Sequence, residues 1–97
     1  MRLLIPIADK NKAEITDINS ASSWALIQMD GGNIENISFV ANYHDIINDI
    51  DTLVIKNEYE PIMDFLEREV MILVAHTQKT IEEIIEGYVF KELRDLG

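Results

Sequence analysis

Asp51-Thr-Leu-Val-Ile55 and Val70-Met-Ile-Leu-Val-Ala75 decide the fold. Each is a short apolar run that enters an amphipathic helix through a polar loop. Lys56-Asn57-Glu58 begins the first loop and His76-Thr77 the second. Two successive strand–helix units predict parallel strands joined by right-handed crossovers. Ligands of open α/β sheets bind just past the carboxyl ends of such strands. A site therefore belongs at the edge that carries these two loops. That edge offers no cysteine, no glycine-rich loop and no recognisable catalytic group.

The rest of the chain completes a sheet around these units. Arg2 to Ile7 reads as a strand, because Leu3, Leu4, Ile5 and Ile7 suit burial on both faces. Pro6 sits near its end, where a missing N–H is tolerable. Residues 8–14 are polar and read as a loop, 15–18 as a short extended piece, and 19–23 as a turn cluster. Trp24 to Met29 is a second strand. Asp30-Gly-Gly-Asn33 is a hairpin signal, since these residues tolerate positive φ. Ile34 to Val40 is a third strand, whose broken alternation suits a sheet edge. Tyr43 to Asn48 reads as a short helix or turn, with Ile46, Ile47 and Ile50 inward and Asp45 and Asp49 outward.

Pro61 fits the first position of a helix, because its ring presets φ. Ile62, Phe65 and Leu66 then share one face. Thr80-Ile-Glu-Glu83 is a capping box opening the last helix. Ile81, Ile84, Ile85, Tyr88, Val89 and Leu93 follow as one apolar stripe. Gly87 costs that helix about 1 kcal/mol relative to alanine, which implies close packing against a neighbour. Trp24 and Phe39 read as core or sheet-face residues, and Met29, Met63 and Met71 as packing. The expected architecture is a single α/β domain over residues 1–97. Its mixed five-stranded sheet has the order 3-2-1-4-5, with strand two antiparallel and helices on the faces.

Charge narrows the partners. The chain has 97 residues and a net charge of −10. Nucleic-acid affinity comes mainly from Lys and Arg neutralising phosphates, and Lys10, Lys12 and Lys56 are too scattered to form a basic patch. The same charge disfavours anionic membranes. No apolar run approaches the roughly 20 residues that span a bilayer. The opening Met1-Arg-Leu-Leu-Ile-Pro6 turns polar too soon for a signal peptide, so the expected location is cytoplasmic. The absence of cysteine excludes disulfides and thiolate metal ligation.

Met1-Arg-Leu-Leu-Ile-Pro-Ile-Ala-Asp9 resembles the opening strand of the dinitrogenase iron–molybdenum cofactor biosynthesis family, the NifX-like carriers. Ala21 to Asp30 is similar to that family's second strand, and Asn42-Tyr-His44 to its Asn-Pro…His region. Pro61 falls where the family opens a helix with proline. Thr80-Ile-Glu-Glu-Ile-Ile-Glu-Gly-Tyr88 resembles its Thr-Val-Glu-Glu-Ala…Tyr helix. The resemblance implies a ribonuclease-H-like three-layer fold. It also implies non-catalytic carriage of the iron–molybdenum cofactor or its iron–sulfur precursor. Two stretches depart from the family. Its His-Phe-Gly-Arg-Ala is here Asp17-Ile-Asn-Ser-Ala21, and its Gly-Gly-x-Gly-Pro is Asn57-Glu-Tyr-Glu-Pro61. Carboxylates at Glu58 and Glu60 oppose an anionic cluster at a loop where glycines would let amides approach one.

The candidate cofactor-binding residues are Asp17, Asn19, Ser20, Lys56, Asn57, Glu58, His76 and Thr77, and none is assigned a catalytic role. His44 and His76, the only two histidines, are candidate ligands for a soft or borderline metal if their rings meet. Asp17, Glu58 and Glu60 offer oxygens for a hard cation, without calcium-loop spacing. Ser20, Ser22 and Ser23 lack a triad-like histidine context. A ribonuclease-H-type hydrolase would need carboxylates on the central strands, and only Asp9 and Asp51 come near. The alternative to a carrier is an interaction module that kept the fold and lost the ligand. It would use the apolar edge strand of Ile34, Ile37 and Phe39 for a protein partner or self-association.

Overall fold

A computed structural model describes residues 1–9 and 13–96. Lys10, Lys12 and the middle of their expected loop lie outside the described residues, as does Gly97. The strands are β1 (Arg2–Ile7), β2 (Ser23–Asp30), β3 (Asn33–Val40), β4 (Thr52–Ile55), β5 (Met71–Val74) and β6 (Arg94–Asp95). The helices are α1 (Met63–Leu66) and α2 (Ile81–Val89). One sheet of order β3-β2-β1-β4-β5-β6 contains all six strands. β1 pairs antiparallel with β2 and parallel with β4, and β4 pairs parallel with β5.

β1 feeds both cores. Leu3, Ile5 and Ile7 point to one face, where Ala25, Ile27 and Val54 meet Ile81, Ile84 and Ile85 of α2. Leu4 points to the other, where Trp24, Leu53 and Ile55 meet Phe65 of α1. Leu3, Leu4, Ile5 and Ile7 are fully buried, each contributing about 1.5–3 kcal/mol relative to exposure. On the α1 side the chain between β3 and β4 forms two 3-10 turns, Tyr43–Asp45 and Ile47–Asp49. Ile47 and Ile50 are buried there, as the pattern required.

The hairpin turns on Gly31 and Gly32, with Gly31 at φ +63°. A bulge follows, because Gln28 pairs with Asn36 but Met29 pairs with Ile34. Glu35 is the extra residue, and it resets the phase of β3. Ile34, Ile37 and Phe39 therefore pair with Met29, Ile27 and Ala25, all on the α2 face. This accounts for the broken alternation. α2 does not cover this margin of the sheet, and the three side chains are 46%, 40% and 41% exposed.

Four expectations need correction. The sheet has six strands rather than five. Helix α2 stops at Val89 rather than carrying its stripe to Leu93. The capping box at its start forms as read, with Glu83 N–H donating to the Thr80 hydroxyl at 3.1 Å. At its end Lys91 adopts φ 58°, Lys91 N–H donates to the Tyr88 carbonyl and Glu92 N–H to the Gly87 carbonyl. This is a Schellman reversal with lysine where glycine is usual, so no sequence signal marked it. The reversal folds Leu93 back over α2 and lays β6 antiparallel on β5. A Cβ at residue 87 would lie 3.1 Å from Leu93 Cδ2, which gives Gly87 the close neighbour its presence implied.

Third, Pro61 precedes α1 instead of beginning it. The Ile62 carbonyl accepts the first helical bonds, from Phe65 and Leu66 N–H, and the helix opens at Met63. The chain before it is committed to a loop by Glu60, whose carboxylate bonds back to Lys56 and Asn57. Fourth, Met63 and Met71 are exposed, and of the three methionines read as packing Met29 alone is buried. No helix among the described residues is long and apolar enough to cross a membrane.

Lys91→Gly should relieve the side-chain cost of the left-handed turn. Equilibrium urea unfolding should show a gain of about 0.5–1 kcal/mol with an unchanged m-value.

Candidate functional site

The carboxyl ends of β1, β4 and β5 lie at one edge of the sheet. The chain leaves β1 toward β2 on one flank and returns as β4 on the other, so the strand order switches between β1 and β4. Thr16 N–H donates to the Pro6 carbonyl at 2.9 Å and ties the segment after β1 to this edge. Asp17 then opens a 3-10 turn over Ile18–Ser20, its Oδ1 accepting from Ser20 N–H at 2.9 Å. Lys56 and Asn57 follow β4 directly.

Glu60 joins the two segments. Its Oε1 accepts from Ile18 N–H at 2.5 Å. Its Oε2 accepts from Lys56 N–H at 2.8 Å and Asn57 N–H at 2.9 Å. The residue is 8% exposed. A buried carboxylate is costly unless it is hydrogen-bonded, and three amides from two loops satisfy it here. The Asn57 side chain closes the loop locally by accepting from Tyr59 N–H at 3.0 Å.

Asp17, Asn19, Ser20, Lys56 and Asn57 are thus brought to one place, but several of their polar groups are spent on structure. Asp17 caps its turn, and the Lys56 and Asn57 amides are taken by Glu60. Glu58 ion-pairs with Arg94 of β6. That hydrogen bond and charge hold the Glu58 carboxyl below its ordinary value, with smaller lowering contributions from Tyr59 and His76. His76 is exposed at the end of β5, within electrostatic reach of Glu58. Thr77 lines a separate, acidic cleft of about 260 Å³ with Gln78, Glu83, Glu86, Gly87 and Glu92.

His44 has other partners. Its Nδ1 lies 2.8 Å from Asn42 Oδ1, its Nε2 3.7 Å from Asp64 Oδ2, and its ring stacks on Tyr43. Tyr43 Oη donates to Asp64 Oδ2 at 2.8 Å, and burial followed by this bond raises the phenol's pKa. Asn19, Tyr43 and Asp64 line a cleft of about 430 Å³. His44 and His76 therefore have different neighbours. Among the described residues no three His, Asp or Glu side chains gather as a metal site. The candidate oxygen site of Asp17, Glu58 and Glu60 is not assembled, because amides hold Asp17 and Glu60 and Arg94 holds Glu58. Farther along the edge, Ala8, Asp9, Ser22, Ser23, Phe39, Val40 and Ala41 line a cleft of about 540 Å³.

The sequence shows Glu60 as an acidic loop residue but not its inward turn onto three amides, and it carries no sign of Arg94 at this edge. Nothing in the local pattern tells Glu60 from its neighbour Glu58. Arg94 reaches Glu58 only because α2 ends in a reversal.

No family model matches this chain, and no curated protein matches it. Solved structures do match. A candidate dinitrogenase of Methanocaldococcus jannaschii, in its NMR structure, superposes with a TM-score of 0.79 at 14% identity, covering 98% of this chain and 92% of that one. A candidate NifB protein of Thermotoga, placed in the DUF35 family, gives 0.77 at 15% identity, with 98% and 92% covered. The crystal structure of PH0822 gives 0.77 at 15%, with 98% and 96% covered. The chain has their fold. At such identities the likeness concerns architecture, over essentially the full length of each molecule.

At this edge an iron–sulfur-based cofactor would meet one imidazole, the exposed His76, and no thiolate. The sequence has no cysteine, and the amides of the β4 loop are occupied by an internal carboxylate.

Because Glu58's folded-state pKa lies below its ordinary 4.5, its pairing stabilises the fold above the unfolded pKa and is lost as pH falls through the folded one. Arg94→Met should move the Glu58 titration back toward 4.5 and remove this part of the acid dependence. Carbon-detected NMR of the side-chain carboxyls measures the first, and urea unfolding across acid pH the second.

Proposed function

We propose that this chain is a small, non-enzymatic binding domain of the nitrogenase-cofactor carrier type, related to proteins that handle the iron–molybdenum cofactor or its iron–sulfur precursor. The full-length likeness in fold to the candidate dinitrogenase and NifB proteins carries this reading. The sheet order, with one antiparallel neighbour of β1 and parallel strands beyond, suits a ribonuclease-H-like architecture. The edge carboxylates support a binding rather than a hydrolytic role, since Asp17 caps a turn, Glu58 pairs with Arg94 and Glu60 with amides. A cysteine-free chain suits the reducing cytoplasm.

A second reading, an interaction module, is favoured by one observation. The bulge at Glu35 gathers Ile34, Ile37 and Phe39 on one face of edge strand β3. Within Asn33–Val40 Glu35 is the sole charged residue, and no proline or lysine blunts the edge. Such a strand can pair with a second chain.

Anaerobic reconstitution with a preassembled iron–sulfur cofactor, followed by gel filtration, tests the carrier reading. A visible chromophore co-eluting with the protein is expected, and a colourless product overturns it. For the edge strand, sedimentation should show concentration-dependent association that Ile37→Lys abolishes. A wild type that is monomeric at every concentration, with no partner recovered, removes the second reading.

A further inference from the structure

We propose that the backbone amides of Ile18, Lys56 and Asn57 form a small anion-binding nest, and that Glu60 is its built-in occupant. The donors come from two loops that follow different strands, β1 and β4, and they converge on one carboxylate. They lie where the strand order reverses, the position at which open α/β sheets receive ligands. Clustered amides bind anions through their partial positive charges, without needing a cationic side chain. Glu60 uses both oxygens on these amides and is 8% exposed, so the site is filled and covered by the chain itself.

The ligand class follows from the donors. A carboxylate or a tetrahedral oxyanion presents oxygens at the spacing that two loops of N–H groups accept, as the Glu60 carboxylate does here. While Glu60 is seated, an external anion must displace an internal one held by three hydrogen bonds. Glu60 thus acts as an intramolecular competitor. Anions are excluded from the switch point until this side chain leaves or is replaced. The inference rests on reading this edge as the ligand edge, but it does not depend on an iron–sulfur cargo. Failure of the reconstitution above would leave it standing, and its own failure would leave carriage elsewhere on the molecule untouched.

The test uses inorganic phosphate and formate as probes, with wild type and Glu60→Ala compared at equal ionic strength in chloride. The amide resonances of Ile18, Lys56 and Asn57 are followed by nitrogen–proton NMR. In Glu60→Ala these three should shift saturably, with affinity at least about tenfold above the wild type. The anions should also raise the variant's Tm and leave that of the wild type unchanged. Should Glu60→Ala be unfolded in chloride, far-ultraviolet circular dichroism reads refolding, and phosphate or formate should restore structure where chloride does not. Three outcomes overturn the proposal. One is a folded variant with no response at these amides, which leaves Glu60 as a structural strut only. Another is an unfolded variant that recovers no better in phosphate or formate than in chloride. The third is a wild type that responds at the same amides as strongly as the variant.

Discussion

Everything in this molecule is arranged around burial of β1 on both faces. Leu3, Ile5 and Ile7 supply the α2 side and Leu4 the α1 side, and all four are removed from water. A strand with no wet face must be covered above and below, which forces a three-layer arrangement. It must also be flanked on both edges to satisfy its amides and carbonyls. β2 does this from one side and β4 from the other. The point where the chain changes sides is set by this requirement, and the candidate site lies at that point.

The candidate site is unusual in its charge. An acidic chain places Glu58 and Glu60 in the loop after β4, and the two behave differently. Glu58 stays at the surface and pairs with Arg94, which the final strand delivers. Glu60 turns inward and is neutralised by amide dipoles rather than by a cation. The first links the loop to the sheet's last strand and the second links it to the segment after β1. The site is therefore stiffened from both sides by its own acids, where an anion-binding loop would leave amides open.

Much of the architecture is legible in the residues. The apolar run of β1, the Gly31-Gly32 hairpin, the two parallel strands and the Thr80–Glu83 capping box all act over a few residues, so sequence reports them directly. Ile34, Ile37 and Phe39 were legible as apolar, but their common face was not. It depends on the bulge at Glu35, which only the pairing with β2 reveals. The sixth strand escaped for a related reason. Lys91 and Glu69 both adopt positive φ without the glycine that usually signals it, and each ends a helix.

The sequence by itself determined the α/β class, the order of the first five strands and which loops share the carboxyl edge of the parallel strands, because hydrophobic periodicity and turn chemistry are local. Only the tertiary structure decided what occupies that edge. Glu60 reaches Ile18 across 42 positions of chain, and Arg94 reaches Glu58 across 36. Contacts at such separations follow from how strands stack, and no local pattern encodes them. The same glutamate that reads as a repulsive surface charge becomes, in the fold, a buried anion held by three amides.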